Sequence, residues 1–341
     1  MVNNNTIGQA KWASHSVLVT GGAGFLGSWL THELLSGGAR VTVLDIEPFM
    51  RPLGVEEDEV LKKVHYVQGS VCDRSVVVDT LHVMNIDTVI HLAADPLVGD
   101  TLSAPAETLD TNIRGTWTVL DACRERGGAV KRIVVASTDK AYGTHATLPY
   151  TEECELRGDG HPYDCSKGCM DRVARMYAQV YDMPIIVTRC ANIFGGGDLH
   201  FSRIVPGTIQ AILDNEPVHL RSDGMYLRDY IFVKDAVGAY LDCVVGLDNG
   251  LRGEAFNFGN NAPLKVIELV RVIARLMGKV DLVPIIENTA QHEIRDQYLD
   301  SNKAREKLGW TPQYTVEKAL LETIAWYTKH LDRPEHESRE S

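Results

Sequence analysis

Residues 16–30 read SVLVTGGAGFLGSWL, and the fold turns on them. Five residues suited to a buried strand stop at a cluster of glycines, and an apolar, helix-compatible run follows. Gly22, Gly24 and Gly27 fit G-x-G-x-x-G, while Gly21, Gly24 and Gly27 fit the wider spacing G-x-x-G-x-x-G. Glycines let the backbone turn sharply and approach a ligand closely, and the amides of the helix that follows hold a pyrophosphate. A glycine-rich turn without a ligand is the alternative. Placement between a strand and a helix, at the start of a domain, favours a dinucleotide. Phe25 and Leu26 lie inside the motif and are counted with the cofactor residues.

Working outward, short runs rich in Val, Ile and Leu recur at 16–20, 40–45, 64–67, 87–93, 132–136, 185–189 and 255–258, and helical patterns near 25–36, 75–84, 105–126 and 164–182 separate them. Strands apolar on both faces and alternating with helices predict a doubly wound parallel α/β sheet with ligands at the strands' carboxyl ends. The predicted Rossmann domain spans 14–190, with a return segment at about 230–260. After Gly195-Gly196-Gly197 the pattern changes. Residues 191–229 and 261–330 read as a smaller substrate-binding α/β lobe dominated by helices and loops.

Asp45 ends the second strand, where an acid holds ribose hydroxyls and repels a 2′-phosphate, so NAD is expected rather than NADP. Ile46, Val71, Leu92, Ala93 and Ala94 lie at neighbouring strand ends and are counted with the cofactor site. Asp73 either accepts from the adenine amino group or caps the next helix.

The 341-residue chain is 44% hydrophobic with a formal charge of −12, which disfavours nucleic acid or an anionic membrane as partner. No apolar run approaches the roughly 18 residues of a membrane span, and the polar start MVNNNTIGQAK lacks a signal-peptide core. The charged end HLDRPEHESRES is expected to fray. Seven cysteines without a CxxC fit free thiols in a reducing cytoplasm. His161, Cys165 and Cys169 share helical spacing but lack a fourth ligand nearby, so no metal is expected.

The chemistry concentrates in two stretches. Residues 134–143, VVASTDKAYG, end an apolar strand in Thr138, Asp139 and Lys140. Residues 163–167, YDCSK, set Tyr163 and Lys167 four apart, on one helix face. Free tyrosine, with a pKa of about 10, is a poor base at neutral pH. A nearby ammonium and a positive nicotinamide favour the phenolate, so Tyr163 is expected below that value and able to take a proton from a substrate hydroxyl.

With TGGAGFLG (20–27), HLAA (91–94), NIRGT (112–116), STDKAYG (137–143), YDCSK, RCANIFGGGD (189–198), RDYIFVKD (228–235) and DSNKAREKLGW (300–310), the chain resembles the extended short-chain dehydrogenase/reductases from about residue 15 to 325. It is most similar to their nucleotide-sugar epimerases and dehydratases. The resemblance implies that Thr138 hydrogen-bonds the sugar O4 and that Asn112 has a structural and proton-relay role near Lys167. It also implies that Asn192, Arg228 and Arg295 meet the nucleotide diphosphate, with Arg203 a weaker candidate. Guanidinium suits phosphate recognition in an acidic protein. Helices 105–126 and 164–182 would pair with their copies in a homodimer through a four-helix bundle, with Trp117, Val119, Leu120, Met170, Val173 and Met176 as apolar positions.

Thr138-Asp139-Lys140 bears on the reaction. A 4-epimerase needs Thr, Tyr, Lys and NAD. A 4,6-dehydratase also needs a base for the C5 proton and an acid for the departing C6 hydroxyl. Thr-Asp-Lys resembles dehydratase branches acting on CDP-glucose and UDP-N-acetylglucosamine, and the SKG of PYDCSKGCMD resembles the CDP-glucose branch. Asp139 is expected to be the acid at O6 and Lys140 the C5 base, the latter requiring a lowered pKa. The alternative is an NDP-sugar 4-epimerase of the UDP-glucose type, with Asp139 capping a turn and Lys140 facing water. The nucleotide stays open among CDP, UDP, dTDP and GDP. A non-catalytic NAD(P) sensor would commonly lack Tyr163 or Lys167, and a one-way reductase would consume its cofactor.

Overall fold

The computed structural model describes residues 11–48, 51, 53–96, 104–158, 160–290 and 293–331. Residues 1–10 and 332–341, which hold nearly all of the polar start and the charged end, lie outside them.

The chain begins β1 (Ser16–Thr20), α1 (Phe25–Ser36), β2 (Arg40–Asp45), α2 (Val55–Leu61), β3 (His65–Gln68), α3 (Arg74–Val83) and β4 (Thr88–His91). A long helix, α4, covers 105–125, and its middle turn, Asp110–Arg114, is π-helical. Then come β5 (Arg132–Thr138), a 3₁₀ turn (Asp139–Tyr142), α5 (Pro162–Tyr181) and β6 (Ile185–Cys190). Further on, β7 (Asn192–Phe194), α6 (Ile204–Leu213), β8 (His219–Leu220), β9 (Leu227–Arg228), β10 (Tyr230–Phe232), α7 (Val233–Asp248) and β11 (Ala255–Phe258) follow. The chain closes with β12 (Leu264–Lys265), α8 (Val266–Leu276), β13 (Ile285–Ile286), β14 (Asp296–Gln297), α9 (Asn302–Leu308) and α10 (Val316–His330).

Seven strands form one parallel sheet in the order β3-β2-β1-β4-β5-β6-β11. The order reverses between β1 and β4, and α/β sheets bind ligands in the crevice outside such a switch point. Alternate side chains enter opposite layers. Val17, Val19, Ile90 and Val134 pack with Leu30 and Leu34 of α1 and with α7. Leu18, Val89, Ile133 and Val135 pack with Val77 and Leu81 of α3 and with α4 and α5. Burial on both faces explains why these strands read as unbroken apolar runs.

A third core joins β7, β10, α6, α8 and α10 through Phe194, Ile209, Phe232, Leu269 and Leu320. This part is less purely helical than the sequence suggested. β12, β9 and β14 form a three-stranded sheet, and β13 pairs with β8. These five strands are each two residues long, too short to show a period of two.

The apolar positions assigned to a dimer face divide. Val119, Leu120 and Met170 point into the sheet layer and are buried, whereas Trp117 and Met176 are exposed. Among the described residues no helix is long and apolar enough to cross a membrane.

Candidate active site

One cavity of about 1470 Å³ runs along the carboxyl ends of the central strands. It exceeds the roughly 300–1,000 Å³ of a single small-ligand pocket, which leaves room for a dinucleotide and a second ligand together.

One end is the glycine loop. Gly21, Gly24, Phe25, Leu26 and Gly27 line it. Gly21 adopts φ +69°, and a Cβ there would fall 2.7 Å from the Ala93 backbone. At Gly27 a Cβ would fall 2.3 Å from the Gly21 carbonyl oxygen. The glycines therefore let α1 start directly beneath the turn. No side chain caps α1, and its first turn holds no acid, so its leading amides are offered to an anion. Asp45 accepts from the Ala23 amide at 2.9 Å and the Glu47 amide at 3.1 Å, and burial raises its pKa. Ile46, Val71, Leu92, Ala93 and Ala94 share this wall. Asp73 does not reach it: its exposed carboxylate accepts from the Ser75 and Val76 amides and caps α3. These bonds hold its pKa down.

Thr138, Lys140, Tyr163 and Lys167 also line the cavity, from the end of β5, the 3₁₀ turn after it and the first turns of α5. Lys167 is buried, donates to the Ala136 carbonyl at 2.5 Å and has its pKa pushed down to about 8 by desolvation. The Tyr163 phenol lies above the ordinary tyrosine value rather than below it. Burial is the largest cause and the carboxyls of Asp164, Asp139 and Asp95 add to it, while Arg203 pulls the other way. Asn112 lies behind the wall. Its side chain accepts from the Asp95 amide at 2.8 Å and donates to Ser166 Oγ at 2.8 Å, next to Lys167. The π-helical turn places it there, a common use of such turns at functional sites.

Asp139 departs from expectation. Its side chain is buried and absent from the cavity wall. The Thr138 hydroxyl donates to Asp139 Oδ1 at 3.0 Å, and desolvation raises the acid's pKa. The carboxyl thus stands behind Thr138, because the chain winds into the 3₁₀ turn immediately after β5.

The substrate arginines also divide. Arg203 and Arg228 line the cavity with Asn192. Arg203 pairs with buried Asp198 at 3.0 Å. Arg228 donates to the carbonyls of Arg295 at 2.7 Å and Ile294 at 2.5 Å. Arg295 is not on the wall; its exposed guanidinium faces Asp223 at 3.3 Å. Sequence reasoning missed Ser137, Arg51, Tyr226 and Glu293, all wall residues. Ser137 was signalled by its place beside Thr138. The others stand in stretches without a motif. His161 belongs to the helix, its Nδ1 accepting from the Tyr163 amide at 3.2 Å.

Residues 17–259 match the NAD dependent epimerase/dehydratase family. The chain belongs to that family. It is 31% identical to the dTDP-glucose 4,6-dehydratase of Neisseria meningitidis, over 91% of this chain and 92% of the relative. Its fold superposes on a UDP-glucose 4-epimerase from Thermotoga maritima with UDP-glucose at TM-score 0.83 and 29% identity, covering 93% of this chain and 99% of that one. A dTDP-glucose 4,6-dehydratase from Streptomyces venezuelae with NAD bound gives TM-score 0.81 and 27% identity, covering 92% and 97%. This family member is an NAD-dependent enzyme of the extended short-chain dehydrogenase/reductase type, and the uncapped α1 and the glycine cradle fit that cofactor.

Proposed function

We propose that the enzyme is a nucleotide-sugar 4,6-dehydratase that converts an NDP-hexose to an NDP-4-keto-6-deoxyhexose. The observation that carries this reading is Lys140 on the same cavity wall as Thr138 and Tyr163, a second proton-transfer group that C4 chemistry alone does not need.

NAD, which Gly21, Gly24, Gly27 and Asp45 would hold, would supply the hydride acceptor for sugar C4 and the hydride donor for C6. Thr138 hydrogen-bonds O4, and Tyr163 accepts the O4 proton. Buried Lys167, fixed on the Ala136 carbonyl, orients the cofactor ribose and favours the phenolate. Once C4 is a ketone, Lys140 takes the acidified C5 proton. Asp139, its carboxyl pKa raised by burial, passes a proton to the Thr138 oxygen as the Thr138 hydroxyl, turned from Asp139 Oδ1 toward the sugar, gives its own proton to O6, and water leaves. Lys140 then gives its proton back to C5. Asp45 holds the adenosine ribose, and Arg203, Arg228 and Asn192 hold the diphosphate.

We assign the sheet-bearing segments 14–190 and about 230–260 to cofactor binding and 191–229 with 261–330 to the sugar nucleotide. A homodimer is supported by Trp117, Met176, Val180 and Tyr181, exposed on α4 and α5. A cytoplasmic setting is supported by seven free cysteines.

One observation favours a 4-epimerase instead: Asp139 does not line the cavity. Purified protein mixed with CDP-, UDP-, dTDP- and GDP-hexoses separates the two. Loss of one water from a substrate supports the dehydratase. An unchanged mass with a new C4 stereoisomer by NMR supports the epimerase.

A further inference from the structure

Gln297 is fully buried, yet neither atom of its side-chain amide completes a hydrogen bond among the described residues. Asp139 Oδ2 is likewise buried without a hydrogen bond. Such groups are costly and rare in folded proteins. The amide lies near enough to Asp139 to draw its pKa down against desolvation.

Strand pairing accounts for the placement. Gln297 in β14 is the register partner of Arg228 in β9. The segment continues alongside Tyr150, whose amide donates to the Tyr298 carbonyl at 2.9 Å and whose carbonyl accepts from the Asp300 amide at 2.8 Å. The substrate arginine and the buried amide thus come from adjacent short strands. Oδ1 of Asp139 is engaged by Thr138 at 3.0 Å, leaving Oδ2 for the amide.

We propose that Gln297 is a positioning residue for Asp139: its amide N–H holds Oδ2 while Thr138 holds Oδ1, so that the carboxyl is fixed behind Thr138, against the hydroxyl that links it to the cavity. The role in water elimination rests on the dehydratase reading; the contact does not. The groups facing Asp139 are Lys140 and Thr138 on its own turn, Arg228 on β9, Gln297 on β14, and Asp164, Tyr163, Tyr150, Asp229 and Cys190, whose own titrations Asp139 raises.

The test is the titration of Asp139 by carboxyl ¹³C NMR in NAD-loaded enzyme, assigned by its loss in Asp139→Asn. In Gln297→Met the midpoint moves up by at least half a unit as the donor is lost. Gln297→Glu keeps the shape, moves it up further through like charge, and serves if the methionine variant does not fold. An unmoved midpoint in a folded variant overturns the proposal. Kinetics supply the second readout. Gln297→Met slows water elimination at least tenfold, leaves the absorbance change of C4 oxidation intact, and adds nothing in the Asp139→Asn background. Equal slowing of both steps, or additive effects in the double variant, means a merely structural glutamine. If wild type releases no water while the midpoint still shifts, the contact stands and the dehydratase reading falls.

Discussion

Lys167 donates to the carbonyl oxygen of Ala136 at 2.5 Å, tying the catalytic face of α5 to the carboxyl end of β5. That contact fixes where Tyr163 stands relative to Thr138, and it holds the Lys167 amine almost wholly out of solvent. The result is a site rigid in its C4 chemistry and carrying an electrostatic load.

The load gives the first prediction. With its pKa pushed down to about 8 from the ordinary lysine value of 10.5, Lys167 contributes stability that is present above the unfolded pKa and lost as pH falls through about 8. At neutral pH the ammonium costs the cofactor-free fold about 3 kcal/mol. Lys167→Met is expected to abolish turnover by at least about 100-fold without lowering the neutral-pH Tm. A clear fall in Tm would show that the ammonium stabilises the fold.

Asp164 carries the opposite dependence. Burial raises its carboxyl to about 6, with Lys140 and Arg228 opposing. A raised pKa contributes stability that is full below the unfolded value near 4 and lost as pH rises through 6. Asp164→Asn should therefore be more stable than wild type at pH 8, by up to about 3 kcal/mol, with the advantage vanishing near pH 4. Urea titrations at the two pH values check the sign.

Arg189 and Asp171 form a fully buried two-point ion pair, at 2.8 Å and 2.9 Å, between β6 and α5. Arg189 also donates to the Tyr142 hydroxyl at 2.9 Å, and that hydroxyl donates to Asn257 Oδ1 at 2.7 Å. Asp171→Asn leaves the guanidinium without its counter-charge and is expected to cost about 3–5 kcal/mol by urea denaturation. A cost below about 1 kcal/mol would mean that the network repacks.

Gly27→Ala places a methyl 2.3 Å from the Gly21 oxygen and 2.6 Å from the Gly22 Cα. Backbone atoms cannot give way without moving the loop. Calorimetric titration should show NAD binding at least tenfold weaker, and stability should fall by about 1–3 kcal/mol. Unchanged affinity would place the pyrophosphate elsewhere.

The seven-stranded sheet was readable because its strands are buried on both faces and separated by helices of regular period. The glycine loop, Asp45, Thr138, Tyr163 and Lys167 were readable because local spacing and strand ends dictate their places. What escaped depends on pairing between distant segments. Gln297 reaches the site only because β14 lies along β9, and no local pattern announces two-residue strands. Asp139 was expected on the wall, but the turn after β5 drives its carboxyl inward. Arg295 faces outward toward Asp223 while its backbone carbonyl, not its guanidinium, meets Arg228. Val119, Leu120 and Met170 were read as dimer positions because sequence marks an apolar stripe without saying which surface covers it.

The central claim is that this site removes water. Product mass after incubating the purified enzyme with CDP-, UDP-, dTDP- and GDP-glucose tests it most directly. The account predicts that one of these substrates loses one water and that Lys140→Met suppresses that loss while leaving C4 oxidation in place. Unchanged mass with a C4-epimerised sugar, or full dehydration by Lys140→Met, would contradict it.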